Sequence, residues 1–474
     1  MLTPTLVQRR SEFDVVPATP TQRRLWGADR LLAPSAALNL AACFSLRGSV
    51  DDDALTRAIG RVVRRHDVLR ARFRVIDGTL CQQLDPGLRV DSRTQVERDA
   101  SVALANATAV AAEPFDLGHG PPARAALIRI DAGEALLVLV AHHVAVDGWS
   151  AGILLRELEA FYRIELGSAE PEPPAPPLGY FAYASRLADR DVRPSLDALR
   201  AWLAELRDAP RTELPPDRQR PPFFDVQGGR VGFVLSRDLS DRLRAAARKL
   251  GATPFMLFCT AFAVLVRRLT GLGEVVIGAP ALNRVEPDSL ILVGPLIGLV
   301  PLRIEVPKNA SFRGIVRSVR RSCMRALARQ SVSFDSIVEG LRLPPDPSRH
   351  PVVQLLLNWL PDVPTPRLAA CEVRRMELGG LQVSSDLEIQ ISDLSEISGA
   401  FRYSTALFVR STIERWLAAF TRLLERIAED PDSAVDDLEL DLDVQPRVSR
   451  LRSVDRQTYR VTRSDRGRWA WLDE

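Results

Sequence analysis

Ala141-His142-His143-Val144-Ala145-Val146-Asp147-Gly148-Trp149-Ser150 is the stretch on which the reading of this chain turns. An apolar run at residues 135–140 leads into it and predicts a buried strand. Beyond it Ile153, Leu154, Leu158, Phe161 and Tyr162 share one face of a helix, with Ser150 as the expected N-cap. The two histidines therefore stand where a strand ends, and Asp147-Gly148 lies in the turn before a helix. Neighbouring residues of an extended segment point to opposite faces, so one imidazole can enter a cavity while the other packs into the fold. Gly148 lets the chain turn sharply without a Cβ clash.

The chain holds five histidines, His66, His119, His142, His143 and His350. An adjacent pair followed by Asp-Gly at a strand end admits three readings. The first is a satisfied core pair with a solvated aspartate. The second is a metal site, disfavoured because two adjacent strand residues do not readily ligate one ion and no nearby Cys/His spacing completes a ligand set. The third is an imidazole base or positioning group facing a nucleophile.

At 474 residues the chain has room for two or three domains. Its apolar and charged fractions are those of an ordinary globular protein. A formal net charge of +3 gives no field that would argue for nucleic acid or an acidic membrane surface. The five cysteines (Cys43, Cys81, Cys259, Cys323 and Cys371) are scattered and suit buried thiols, not a disulfide framework. Residues 1–16 carry no apolar core of a leader, and no apolar run reaches membrane-spanning length, so a cytoplasmic protein is expected.

Further segments line up around the histidine stretch. Thr19-Pro20-Thr21-Gln22-Arg23-Arg24-Leu25-Trp26 opens a first helix with a Thr cap. A helix over residues 51–65 leads into Arg64-Arg65-His66-Asp67-Val68-Leu69-Arg70, whose Asp67 and Arg70 read as a structural ion pair. Proline-rich residues 171–177 mark a boundary near 175. Residues 254–269 form a helix that is apolar nearly all round and should be buried between layers. Ala279-Pro280-Ala281-Leu282-Asn283-Arg284, Val293-Gly294-Pro295-Leu296-Ile297-Gly298-Leu299-Val300-Pro301-Leu302-Arg303 and Asp346-Pro347-Ser348-Arg349-His350-Pro351 follow in order, then an amphipathic helix over residues 412–429.

These segments resemble, in order over about residues 14–440, the motifs of condensation domains from nonribosomal peptide synthetases. The quoted histidine stretch matches their HHxxxDG, the first segment SxAQxRLW, the second RHExLRTxF, and the last RDxSRNP. HHxxxDG alone is less specific, since wax-ester synthases carry it too. The chain departs from the family where Gly298-Leu299 replace Asn-Thr of VGPFVNTLPLR, which leaves the lining of that part of the cleft open.

The resemblance implies an α/β fold of two chloramphenicol-acetyltransferase-like lobes in a V around a central substrate tunnel. Residues 1–175 would form the lobe carrying HHxxxDG and residues 176–445 the second lobe. It implies His143 as the catalytic residue, with His142 and Gly148 shaping its loop and Asp147 pairing structurally with Arg284. Trp149 and Ser150 would border the substrate, and Asn358 is a candidate for the acceptor side, a strand-end cap being the plain alternative. The implied reaction joins a carrier-bound acyl or aminoacyl thioester to an amine, with an ester-forming hydroxyl acceptor or a non-catalytic recruiting role as alternatives. Recruiting domains usually lose one motif histidine, and this chain keeps both. No intrinsic cofactor is implied; the substrates ride on the phosphopantetheine of carrier proteins, expected to act in trans on a free-standing domain. The arginine-rich residues 446–474, with Trp469 and Trp471, are expected to be a solvated tail or a carrier-docking segment.

Overall fold

The computed structural model describes residues 15–440 apart from 33–35, 190–195, 285, 369–370 and 380–381, together with residue 442 and two strands beyond it. In chain order the first half runs β1 (Val15–Pro17), α1 (Pro20–Leu32), β2 (Asn39–Arg47), α2 (Asp52–Arg65), β3 (Ala71–Ile76), β4 (Thr79–Leu84), β5 (Asp91–Val96), α3 (Ala100–Ala112), β6 (Ala123–Arg129), β7 (Glu134–His142) and α4 (Gly148–Glu165). The second half runs α5 (Tyr180–Asp189), α6 (Leu196–Leu206), β8 (Gly228–Val234), α7 (Arg237–Lys249), α8 (Pro254–Thr270), β9 (Glu274–Ala281), β10 (Gly298–Glu305), α9 (Phe312–Ala328) and α10 (Phe334–Leu341). It closes with β11 (Leu355–Trp359), β12 (Glu372–Met376), β13 (Leu387–Asp393), β14 (Ile397–Ser404) and α11 (Arg410–Glu429).

Each lobe is a mixed sheet with helices against it. The first sheet has the order β12-β2-β7-β6-β5 and the second β10-β9-β11-β13-β14-β8, while β1-β4-β3 form a small ribbon. Local chemistry explains the elements that frame the site. Asp51 caps α2 through Ala54 N–H, with Asp52 and Asp53 in the first turn and Arg64 and Arg65 in the last, the charge order the helix dipole favours. Thr253 caps α8, Pro254 opens it, and Gly271 ends it at φ 75°, a left-handed conformation suited to glycine. Phe258, Phe262 and Leu265 of α8 lie fully inside one continuous core shared with α7, α9, α11 and the second sheet. Each such side chain contributes about 1.5–3 kcal/mol of apolar burial.

The expected division at residue 175 is crossed twice. β12 leaves the second lobe and adds to the edge of the first sheet, Met376 opposite Cys43 and Glu372 opposite Arg47. Tyr180 and Phe181 of α5 pack with Val144, Ala145 and Val146 in a core of the first lobe. Burial decides both, since a proline-rich linker marks where the chain is extended but not which lobe the next apolar segment covers. Of residues 446–474, only the backbone of an antiparallel pair is described, β15 (Arg460–Arg463) with β16 (Trp469–Leu472); the expected docking role of the tail falls outside the described residues. Among the described residues no single helix is long and apolar enough to cross a membrane.

Candidate functional site

β7 ends at His142, and the backbone folds over at once: Ala145 and Val146 N–H return to the His142 carbonyl at 2.9 and 3.3 Å. His142 is 1% exposed. Its Nδ1 accepts from Val144 N–H at 3.0 Å, which makes Nε2 the protonated nitrogen, donating to Asp29 at 3.3 Å. The edge of the Phe115 ring closes the pocket, with ring centroids 6.0 Å apart. Both nitrogens of His142 are thus committed to holding the turn.

His143 faces the other way. Its backbone N–H is tied to Leu38 O at 2.8 Å, while its ring is half-buried and its Nδ1 enclosed without a hydrogen-bond partner. Burial pushes this imidazole below the usual 6.5 and the charges of Arg24 and His142 add to that, while the ring's approach to its own backbone carbonyl and the charge of Asp147 oppose it. The ring is therefore neutral at neutral pH, with a lone pair free.

Asp147 is wholly buried and its carboxylate is saturated. It accepts from Ser150 N–H at 2.8 Å, from Arg284 Nη2 at 3.0 and 2.9 Å, and from Leu296 and Ile297 N–H at 3.0 and 3.2 Å. Arg284, equally buried, also donates through its two terminal nitrogens to the carbonyls of Ser289, Leu292 and Gly294. One buried ion pair, with the carboxylate fully bonded and only the Arg284 Nε left without a partner, thus rivets the histidine turn of the first lobe to a loop of the second.

Three local expectations are corrected. Asp147, not Ser150, caps α4, because a carboxylate three residues ahead reaches the Ser150 N–H while Gly148 already has helical geometry. Ser150 instead lies inside, 0% exposed, its hydroxyl donating to Gly294 O and accepting from Gly294 N–H and Arg284, so it borders no substrate. Gly148 is not in a left-handed turn. A Cβ there would make only ordinary van der Waals contact with Pro361 at 3.6 Å, so neither backbone conformation nor space requires glycine at this position.

Asp67 and Arg70 form no direct ion pair. The Asp67 carboxylate accepts from Tyr180 N–H at 2.9 Å and Phe181 N–H at 3.0 Å, capping α5, and Gly179 is needed because a Cβ there would lie 2.5 Å from it. Two fixed amides at a helix start outcompete a flexible guanidinium for one carboxylate. Arg70 donates to Arg64 O at 3.1 Å instead. Trp149 is half-exposed and pinned through Nε1 to Leu290 O at 2.8 Å. Asn358, at the end of β11, donates to Glu388 at 2.9 Å, away from the His143 turn along the second lobe's sheet.

The turn also rests on residues that the sequence marks only as motif letters. Thr19 and Gln22 form a reciprocal cap at the start of α1, and Gln22 then donates to Gln82 at 3.0 Å and to the Val144 carbonyl at 3.4 Å. Arg24, one turn away, sits in an electrostatic neighbourhood shared with His143, with Asp335 at the start of α10, and with His350. Burial lowers Arg24, with Asp335 opposing. Burial also raises Asp335 and drives His350 down to about 4, helped by Arg24. The spacing S/T-x-x-Q before an apolar run could have flagged the cap; nothing local marks the partners across the cleft. Among the described residues no cluster of three or more His, Cys, Asp or Glu is arranged to hold a metal ion.

Comparison with known proteins places this site in a family. The condensation domain model matches residues 12–447. Malpibaldin synthetase of Mortierella alpina is 31% identical over 446 residues, which cover 92% of this chain and 8% of that protein. Phosphinothricin tripeptide synthetase PhsC of Streptomyces viridochromogenes is 32% identical over 443 residues, covering 90% of this chain and 40% of it. The chain thus spans less than half the length of these relatives. Among solved structures, the X-domain from teicoplanin biosynthesis superposes with a TM-score of 0.81 at 27% identity, over 91% of this chain and 98% of that one. The first condensation domain of the calcium-dependent antibiotic synthetase gives 0.75 at 21% identity, over 90% and 99%, and shows the shared two-lobed fold. With its motifs, its fold and its riveted histidine turn, the chain belongs to the condensation domain family of nonribosomal peptide synthetases.

Proposed function

We propose that this domain catalyses amide formation between a thioester donor, held on the phosphopantetheine of a carrier protein, and an amine acceptor. The observation that carries the reading is His143: a neutral imidazole bonded to no other residue and held by a turn that the Asp147–Arg284 pair ties to the second lobe. A thioester is already activated and a neutral α-amine near pH 8 is already a nucleophile, so orientation and one proton acceptor suffice. The amine nitrogen attacks the thioester carbonyl and the C–N bond forms. His143 accepts the surplus ammonium proton; the C–S bond breaks and the proton passes to the departing thiolate. A base in this position is worth roughly 10²–10⁴ in rate. Asp147 takes no part in proton transfer, because its lone pairs are already filled by Arg284 and backbone N–H groups. The domain needs no cofactor of its own in this scheme.

A second reading has one specific support. The X-domain from teicoplanin biosynthesis is also known in a complex with OxyB, and that structure superposes on this chain with a TM-score of 0.78 at 29% identity. A domain of this shape can therefore serve as a docking partner, and recruitment without chemistry is the alternative role. Incubating the domain with an acyl-loaded carrier and candidate amines, with intact-mass detection of the product, separates the two. Product that requires His143 supports condensation, and no product with any amine supports recruitment.

A further inference from the structure

The start of α1 is fixed against the histidine turn. Thr19 and Gln22 cap each other, and Gln22 reaches the Val144 carbonyl at 3.4 Å, so the backbone at Arg24 has a set place relative to His143. The Arg24 charge acts on His143 of the first lobe and on Asp335 and His350 of the second, which puts its guanidinium between the lobes. Part of its surface is open, yet protein surrounds it on nearly every side, as it does a side chain inside a cleft. Among the described residues this guanidinium makes no hydrogen bond and no ion pair.

Arg284 and Arg220 show what an enclosed guanidinium ordinarily has, a carboxylate against it: Asp147 at 2.9 Å in one case, Asp386 at 3.0 Å in the other. Nothing near Arg24 does this service. His143 and His350 are neutral, the second held down to about 4 by burial. Asp335 is, among the described residues, the one carboxylate whose charge acts on Arg24, and the two form no ion pair. Burial also raises Asp335, which weakens its hold on a negative charge. An enclosed cation without a counter-ion costs stability, and a cleft that keeps one is complete only when a ligand brings the anion. The planar fork of N–H donors fits a carboxylate bidentately. A thioester, on donor or acceptor carrier alike, is uncharged at its carbonyl, and the pantetheine phosphate lies at the far end of the arm. A free α-amino acid carries amine and carboxylate on one carbon, so the amine can face His143 while the carboxylate meets Arg24.

We propose that Arg24 binds the α-carboxylate of a free amino acid, so that the acceptor is a soluble amino acid and not one loaded on a second carrier. That the amino acid is an acceptor rests on the condensation reading; the carboxylate site does not. The amine attacks the carrier-bound thioester, the C–N bond forms, the C–S bond breaks, and the surplus proton passes to the thiolate. An N-acyl amino acid with a free carboxylate leaves, and the carrier is returned as its thiol. Such a domain releases a chain from its carrier.

The test titrates alanine, leucine and phenylalanine, and the α-amide of each, calorimetrically into the intact protein. At least one acid should bind about tenfold or more tightly than its own amide, as a charge-assisted bidentate contact would give. Arg24→Met should erase that preference without weakening the amide, and Arg24→Lys should keep part of it, having the charge but not the fork. Arg24→Met should also melt no lower than the wild type, since it removes an unpaired charge; a clearly lower melt would make Arg24 structural and overturn the proposal. If Arg24→Met does not fold at all, Arg24→Lys decides. No binding of any acid, equal affinity of acids and amides, or a preference that survives substitution of Arg24 undiminished overturns the proposal too. Equally tight, Arg24-dependent binding of 4′-phosphopantetheine would make the anion a phosphate, and of aspartate α-amide a side-chain carboxylate; either result overturns it. Product analysis with an acyl-loaded carrier keeps the two readings apart. Amide formed only on an alanyl-loaded carrier, with no free amino acid bound, refutes this inference and leaves condensation standing. Arg24-dependent binding of a free amino acid by a protein that forms no amide does the reverse.

Discussion

The turn at residues 142–150 and the outward face of the second sheet are both polar, yet they are built in opposite ways. In the turn, Asp147, Ser150 and His142 have their polar side-chain atoms bound to other residues, and the His143 ring alone is bonded to none. On the sheet, a row drawn from four strands leaves carbonyls and hydroxyls open. The first arrangement fixes one group in one place, as chemistry demands. The second offers a graded surface, which suits the choice of what is bound. A contrast of this kind predicts which substitutions stop turnover, which unfold the domain, and which do neither.

The largest effect expected is His143→Ala: a loss of roughly 10²–10⁴ in amide formation with no change in melting temperature. Measuring single-turnover rates with a loaded carrier alongside a thermal melt checks both halves. Near-normal turnover would break the contrast at its centre, since among the described residues no other unpartnered base lines the turn. His142→Ala should behave differently, losing stability along with rate, because its ring holds Val144 and Asp29.

Asp147→Ala should come next, costing about 3–5 kcal/mol, because it leaves Arg284 charged and unpaired between the lobes. Chemical denaturation, or soluble yield if the protein fails to fold, reads this directly. Asp147→Asn sharpens the point. It retains the shape and one acceptor but not the charge, so stability should fall by less and activity should follow stability. A fully stable, inactive Asp147→Asn protein would transfer Asp147 from the rivet to the chemistry.

A smaller, pH-dependent effect separates the two sides of the cleft. His350 is held down to about 4 by burial, against an ordinary 6.5, and its Nδ1 donates to Pro351 O at 2.8 Å. Above 6.5 the ring is neutral in both folded and unfolded chains and contributes nothing to pH dependence. As pH falls from 6.5 toward 4 the unfolded chain gains a proton that the folded one refuses. Stability then drops by up to about 1.4 kcal/mol per pH unit from this residue. His143 is shifted in the same direction for the same reason. Urea midpoints between pH 7 and 4.5 should show the slope, and His350→Asn should remove its share. An unchanged slope in that variant would mean His350 is hydrated, and that the second lobe does not enclose its side of the cleft as tightly as the first.

How far the sequence led follows the same division. The strand into His142, the helix after it and the all-round apolar α8 were legible because local periodicity and burial agree there. The Asp147–Arg284 pairing came from family resemblance, since residues 137 apart in the chain leave no local trace of their contact. The N-cap at Asp147 was missed although Asp precedes the helix as well as Ser does; the helix starts at Gly148, five residues before Ile153 opens its apolar face. β12 could not be assigned to the first sheet, because an edge strand with alternating exposed residues says nothing about which sheet it joins. The polar row across the second sheet was invisible for a simpler reason: Asn358, Gln390, Ala400 and Gly232 are neighbours only through strand register.

The smallest effect concerns Asp67 and Arg70, which sit three residues apart on one short turn and look, in sequence, like partners. Asp67 is instead bonded to the Tyr180 and Phe181 amides, and through them it holds α5 against the core beneath the His143 turn. Asp67→Ala should therefore cost about 1–2 kcal/mol, the worth of a lost helix cap. Arg70→Ala should cost less, because its guanidinium is replaced at Arg64 O by water. The deciding quantity is neither single value but their coupling. If the two residues act separately, the double variant is additive to within about 0.5 kcal/mol; a true ion pair in a half-buried site would show about 1 kcal/mol or more. Strong coupling would mean the cap on α5 and the charge of Arg70 form one unit. The support of the histidine turn would then extend from the Asp147 rivet to a second charged contact on the same side of the cleft.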